Sequence, residues 1–207
     1  SSLYSNTTGT GNMALGKALY ANTTGANNTG IGELAGFANS TGTGNVFIGR
    51  SAGFYETTSN KLYISNNPIT PLLYGVFSQT AANNKLGIGT ATIAAGNAIA
   101  VWNGARLTTG GVWTNASSRE LKENIQTLSA EDANQALAAL SPVRYVYKNS
   151  RDEEYVGFIA EDVPDLVASN DRKSLSPMDI VAVLTTVTKE QRAEITTLRD
   201  SLAQQEA

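Results

Sequence analysis

The sequence predicts a mainly β repeat shaft, intertwined as a homotrimer, followed by an α+β domain that ends in a long helix of a trimeric coiled coil. Three observations carry this expectation. A period of 16, 17 and 17 residues runs through the first quarter of the chain, composition changes abruptly at Ala116–Ser117, and the last stretch of about 28 residues contains neither Gly nor Pro.

The period is visible residue by residue. Asn6-Thr7-Thr8-Gly9 returns as Asn22-Thr23-Thr24-Gly25 and as Asn39-Ser40-Thr41-Gly42. Asn12, Asn28 and Asn45 follow, then Gly16, Gly32 and Gly49, then Ala18, Ala35 and Ala52, while Tyr4, Tyr20, Phe37 and Phe54 keep the same spacing. Fixed self-similarity of this kind marks a stacked architecture. Each unit reads as a short alternating strand with a Gly/Asn corner, since Gly and Asn tolerate positive φ. The strand pieces are Met13 with Leu15, Thr29 with Ile31, and Val46 with Phe47-Ile48. One such unit cannot offset an ordering cost of roughly 1–2 kcal/mol per residue. Stacked units can, and three chains about one axis can do so better. The Asn-Thr-Thr phrases also match the N-glycosylation pattern, but a repeat corner explains them more simply.

The chain then divides into a shaft over 1–56, a β-rich tip or connector over 57–116, and a charged, glycine-poor domain with a long terminal helix over 117–207. In the middle, Leu62-Tyr63-Ile64, Leu72 to Phe77 and Lys85 to Gly89 read as strands, with a further run from Ala98 to Leu107. Trp102 and Trp113 suit the packed axis of a trimer, whereas Trp102 and Tyr74 are the candidates for receptor contact. No acidic residue lies between 57 and 116. The carboxylate pair of a glycosidase is therefore missing there.

Charge and residue usage narrow the chemistry. The chain has 207 residues and a net charge of −3, with five basic and two acidic side chains before Ser117 and ten and sixteen after it. Glycine divides the same way, 18 of 19 preceding Ser117. The absence of Cys and His removes thiolate chemistry, a Ser-His-Asp triad and the usual zinc sites. No metal and no cofactor are expected. No apolar run approaches the roughly 20 residues of a membrane span, and no basic patch suggests nucleic acid.

From Ser117 onward the texture is that of a folded domain. Ser129-Ala130-Glu131-Asp132 has the form of a capping box opening a helix to about Leu140, where Pro142 stops it. Val143 to Tyr147 alternates as a strand, and Tyr155 to Ala160 reads as a second, largely buried one. Ser176 caps a final helix with Pro177 at its first position. Heptad counting places Val181, Thr188, Ile195 and Leu202 at a, and Leu184, Gln191, Leu198 and Gln205 at d. A helix docked on its own domain is the alternative to a trimer seam.

The segment Ser117-Ser118-Arg119-Glu120-Leu121-Lys122-Glu123-Asn124-Ile125 resembles the opening of the intramolecular chaperone family of phage tailspikes, endosialidases and related fibres, whose proteolytic core also occurs in animal myelin regulatory factor. The family pattern is Ser-Asp-x-Arg-Leu-Lys-x-Asn-Ile. Tyr145-Val146-Tyr147, Gly157 to Val163, Pro164 and the long terminal helix follow in the same order. The shaft over about 3–54 is similar to the collar and head repeats of trimeric adhesins and phage fibre stems.

The resemblance implies a domain that gathers three chains, lets the shaft fold in register and then cuts itself off. By position, Ser117 is the nucleophile, Lys122 the general base, and Ala116–Ser117 the scissile bond. A lysine with reference pKa near 10.4 is about 0.04% neutral at pH 7. Burial can lower that pKa by roughly 3–5 units, so closure of the trimer would arm the base. Ser-Lys is a known variant of base-activated nucleophiles. Two departures stand out: Ser118 replaces the pattern's Asp, and Glu161 replaces its Gln. The resulting expectation is an extracellular trimeric fibre, on a virion tail or a bacterial surface, that attaches through a glycan or protein receptor. Its alternatives are an uncleaved trimerisation cap and a polysaccharide-degrading tailspike fragment. A regulatory membrane-linked protein with the same core is disfavoured.

Overall fold

A computed structural model describes residues 1–205. The chain forms two compact units, Ser1–Glu123 and a second that begins at Asn124. The first is a β-solenoid; the second is an α+β assembly with a long C-terminal helix.

The repeat becomes a parallel stack. Strands β1 (Met13–Leu15), β2 (Thr29–Ile31), β3 (Val46–Ile48) and β4 (Lys61–Ile64) pair in parallel, each lying directly over the next. The stack therefore runs one rung past the visible repeat. Leu62-Tyr63-Ile64 keeps a 16-residue spacing from Val46-Phe47-Ile48, although the Asn and Gly that mark earlier rungs are replaced there. Beyond it, β5 (Leu73–Val76) and β6 (Lys85–Ile88) reverse direction, and β7 (Asn97–Val101) returns parallel to β6. Strands β8 (Arg106–Thr108) and β9 (Trp113–Thr114) then close as hairpins. The run Ala98–Leu107 is thus two strands rather than one, broken at a Trp102-Asn103-Gly104 turn in which Gly104 holds φ +89°.

A single asparagine column ties rung to rung. Asn12 donates to the Gly25 carbonyl at 2.7 Å and accepts the Asn28 N–H at 2.9 Å. Asn28 repeats this with Gly42 and Asn45 at 2.7 and 3.0 Å, and Asn45 with Thr58 and Lys61 at 2.8 Å each. Each amide satisfies two backbone groups that the corner would otherwise bury unpaired, at a cost of about 1–3 kcal/mol apiece. The second column behaves differently. Asn22 and Asn39 are fully buried, so the glycosylation patterns at those two positions are closed in the folded chain, whereas Asn6 is exposed.

The interior is filled by complementary sizes. Fully buried Leu19 sits beside Gly30, where a Cβ would come within 2.9 Å of it. One rung on, the large group is Phe47, and Gly36 and Gly53 give way to it; a Cβ on either would approach its ring to 2.4 or 2.3 Å. Burying Phe47 contributes about 1.5–3 kcal/mol. Outside, Tyr4, Tyr20, Phe37 and Phe54 stack in turn, with centroids 4.9, 5.6 and 4.8 Å apart.

In the second unit, α1 (Ala130–Ala139) starts where Ser129 Oγ accepts the Asp132 N–H at 3.0 Å. Strands β10 (Val143–Tyr147) and β11 (Ser150–Gly157) form an antiparallel hairpin. The second strand starts earlier than expected and is not buried: Val156 is 74% exposed. Pairing to β10 across the tight Lys148-Asn149 turn sets its limits, and a two-stranded sheet leaves its faces open. Helix α2 spans Pro177–Gln205. Its Val183 and Val187 pack with Ala133 and Ala136 of α1 and with Val163 and Val167 into the unit's core.

Asn28→Ala leaves the Gly42 carbonyl and the Asn45 N–H without partners and is expected to lower stability by about 2–4 kcal/mol. The exposed corner substitution Thr24→Ala is expected to stay within about 0.5 kcal/mol. Denaturant melts of the full chain compare the two.

Candidate functional site

Ser117 and Lys122 are brought together. They lie five residues apart, and the Lys122 Nζ is 2.7 Å from the Ser117 Oγ. A short 3-10 turn, Arg119–Leu121, folds the chain back between them. Its bonds are Leu121 N–H to the Ser118 carbonyl at 3.2 Å and Lys122 N–H to the Arg119 carbonyl at 3.1 Å. Ser118 stands before the turn in extended conformation, and its Oγ accepts the Glu120 N–H at 3.3 Å. Glu120 itself occupies the place of the pattern's Arg.

A hydroxyl and an amine at hydrogen-bond distance have the geometry of a nucleophile and its base. Both are exposed within one chain. An exposed ammonium donates to the hydroxyl; removing water is what would favour the neutral amine that accepts from it. Ala116, on the acyl side of the expected scissile bond, is half-buried. Glu161 lies in a loop of the second unit, its carbonyl accepting from Arg172 at 3.2 Å.

The other candidates separate by exposure. Trp102 is 75% exposed and Trp113 53%, so neither ring is buried within the chain. Tyr74 is 9% exposed and packs edge-on against Tyr63, with centroids 5.1 Å apart. Its ring therefore offers little to a receptor. Alternation places it inward because Tyr74 is in register with Tyr63 and Gly87. Glu56, in the corner below the third repeat, is the carboxylate most engaged with the solenoid. It accepts from the Thr58 N–H and hydroxyl and from the Tyr63 hydroxyl at 2.8, 2.6 and 2.9 Å. Burial pushes its pKa up, but these bonds and Lys61 outweigh burial and hold it below the ordinary glutamate value. Its oxygens are engaged in structure rather than free for acid–base work. Among the described residues, no group of three or more His, Cys, Asp or Glu side chains is placed to hold a metal.

The heptad seam and the docking face of α2 are different faces. Val183 and Val187 are buried against α1, while Val181, Leu184, Ile195, Leu198 and Leu202 are 43–69% exposed. Thr188, Gln191 and Gln205 lie exposed along the same seam. The docking face was missed in the sequence, although Ile180, Val183 and Val187 recur at the 3–4–residue spacing of a helix face. A second uncovered surface lies on the solenoid. Register aligns Leu15, Ile31, Ile48, Ile64, Leu73, Ile88 and Val101 along one face, opposite the inward column. An open groove of about 670 Å³ in the second unit adds Tyr145, Tyr147, Val156 and Ile159, and reaches the seam at Val181.

Residues 117–171 match the family described as chaperone of endosialidase. The match starts at the serine of the Ser–Lys pair and supports the identification of the C-terminal part as an intramolecular chaperone domain. No curated protein and no solved structure matches the chain.

Val183→Ala is expected to lower the stability of the second unit by about 2–3 kcal/mol. Leu198→Ala, on the exposed seam, is expected to change single-chain stability by less than about 0.5 kcal/mol and to weaken association instead. Dilution-dependent melts followed by helix signal distinguish the two effects.

Proposed function

We propose that this chain is the C-terminal part of an extracellular trimeric fibre for cell-surface attachment, whose end domain assembles three copies and then releases itself by Ser–Lys autoproteolysis. The observation that carries the assembly role is the uncovered apolar seam of α2 on a domain matched to an endosialidase chaperone. Apolar surface left in water favours association at about 25 cal/mol per Å² removed from it. The solenoid ridge supports the same partner, because a row repeating at the strand spacing of about 4.8 Å is matched by another copy of itself. On this reading three solenoids intertwine or pack about one axis and α2 forms a coiled coil, with Thr188 and Gln191 setting register.

The release chemistry is written on the Ser117 hydroxyl. A neutral Lys122 amine takes its proton as Oγ attacks the Ala116 carbonyl carbon. The ring formed contains Oγ, Cβ, Cα, N and that carbon. Collapse breaks the Ala116–Ser117 C–N bond, and Lys122 passes the proton to the departing nitrogen. The product is an ester between the Ala116 acyl group and Ser117 Oγ, with a free α-amine on Ser117. Water then hydrolyses the ester to the Ala116 carboxylate and the Ser117 hydroxyl. Because both side chains are exposed within one chain, closure of three copies supplies the desolvation that neutralises the lysine. Assembly is the trigger. Residues 57–116 then form the tip left at the fibre end, with the exposed Trp102 ring as its receptor contact.

The expected native mass is three times 21.8 kDa, and the intact mass splits into two fragments on either side of Ala116–Ser117. Ser117→Ala keeps the chain whole, and Lys122→Met slows cleavage by at least about 100-fold. Hydroxylamine captures the ester as an Ala116 hydroxamate. A trimer that never cleaves makes the domain a permanent cap; a stable monomer at every concentration overturns the proposal. Cleavage of purified surface polysaccharide by the fragment would place it among depolymerases instead.

A further inference from the structure

We infer that Ser118 is a positioning residue for the self-cleavage reaction, acting as a neutral cap that fixes the turn returning Lys122 to Ser117. This rests on the autoproteolysis reading above. Five residues of extended chain span roughly 17 Å, beyond the reach of a lysine stem. The pair meets only because Arg119–Leu121 is wound as a 3-10 turn, which advances about 2 Å per residue in place of about 3.3 Å.

That turn is short, exposed and weakly held. Three-residue turns of this kind have poor hydrogen-bond geometry, and no residue of Arg119–Leu121 is buried. Packing within the chain therefore does not hold it. What holds it is its own two backbone bonds and the Ser118 Oγ, which accepts the otherwise free Glu120 N–H at 3.3 Å. Glu120 contributes that N–H whatever its side chain, which fits a glutamate in the place of the pattern's Arg. Ser and Asp are equivalent as caps. The exchange of the pattern's Asp for Ser118 thus keeps the acceptor and discards the charge. The requirement at 118 is for an oxygen at the right place, not for a carboxylate beside the lysine.

The experiment follows cleavage of the full chain in Ser118→Ala, Ser118→Asn and Ser118→Asp, with native mass recorded for each. Loss of the cap is expected to slow cleavage about 3- to 30-fold in Ser118→Ala without loss of the trimer, and both acceptor variants are expected to restore the rate to within about twofold. Cleavage of Ser118→Ala at the parent rate overturns the inference, and so does rescue by Asp but not Asn, which would assign the effect to charge. A second measurement stands apart from cleavage. In the Ser117→Ala background, which keeps the chain whole, the nuclear Overhauser contact between the Lys122 side chain and the β-methyl at 117 is expected to persist with Ser118, Asn or Asp and to vanish with Ala. If the parent protein never cleaves, the autoproteolysis reading fails alone, and this contact decides the positioning role; its persistence in the Ser118→Ala variant overturns it.

Discussion

In the first three turns of the solenoid, one asparagine side chain holds two backbone groups of the turn beside it. Asn12, Asn28 and Asn45 each donate to a corner carbonyl and accept from a strand-entry N–H one rung away. This constraint fixes the pitch at one strand spacing and the register at zero shift. The rungs from β1 to β4 inherit that register. Leu19 falls beside Gly30 and Phe47 between Gly36 and Gly53, the four aromatics stack, and the outward residues fall into a straight apolar row. A one-residue slip would turn every inward side chain outward, and the asparagine column forbids it, because a slipped amide would meet neither partner.

Once in register, the chain has satisfied its backbone along the stack but not its surface. Its fully buried apolar side chains are few: Leu19 and Phe47 with the three alanines Ala18, Ala35 and Ala52 form the main cluster. The row from Leu15 to Val101 is left partly open to water, with Leu15, Ile48 and Ile88 exposed and Ile31, Ile64, Leu73 and Val101 half-buried. The second unit repeats this imbalance in helical form. Helix α2 spends Val183 and Val187 on its own domain and leaves the longer seam from Val181 to Leu202 uncovered. Two units of different secondary structure thus share one deficiency, which the proposed association of further copies would cover.

The parts of this arrangement that were legible in the sequence are those fixed by local chemistry. The rungs β1 to β3 were readable because Asn and Gly mark each corner, and α1 because Ser129 and Asp132 cap it. The fourth, Leu62-Tyr63-Ile64, was readable as a strand but not as a rung of the same stack, since Lys61 and Ser65 replace the marker residues. The inward face of Tyr74 was hidden for a related reason. Its orientation depends on pairing with Tyr63 across a reversal of chain direction, and a sequence does not display which strand lies next to which. The exposure of β11 was misjudged because an apolar run signals burial only if a second layer exists to cover it. The pairing of Ser117 with Lys122 was legible only as what a resemblance implies. The turn that makes the spacing work, and the Ser118 oxygen that caps it, were not.

The pair's exposure in a single chain is what links the two units' shared deficiency to chemistry. A serine and a lysine that met in a buried site of the monomer would react as soon as one chain folded, before three shafts had aligned. Here the contact is made by a local turn, so it exists from the first moment the segment orders, while both side chains stay exposed in a single chain. On the proposed function, geometry and desolvation, the two requirements of a lysine base, are supplied by different events. On that same proposal, separating them places the irreversible step after assembly, because the surfaces proposed to recruit further copies are the ones a lone chain leaves in water.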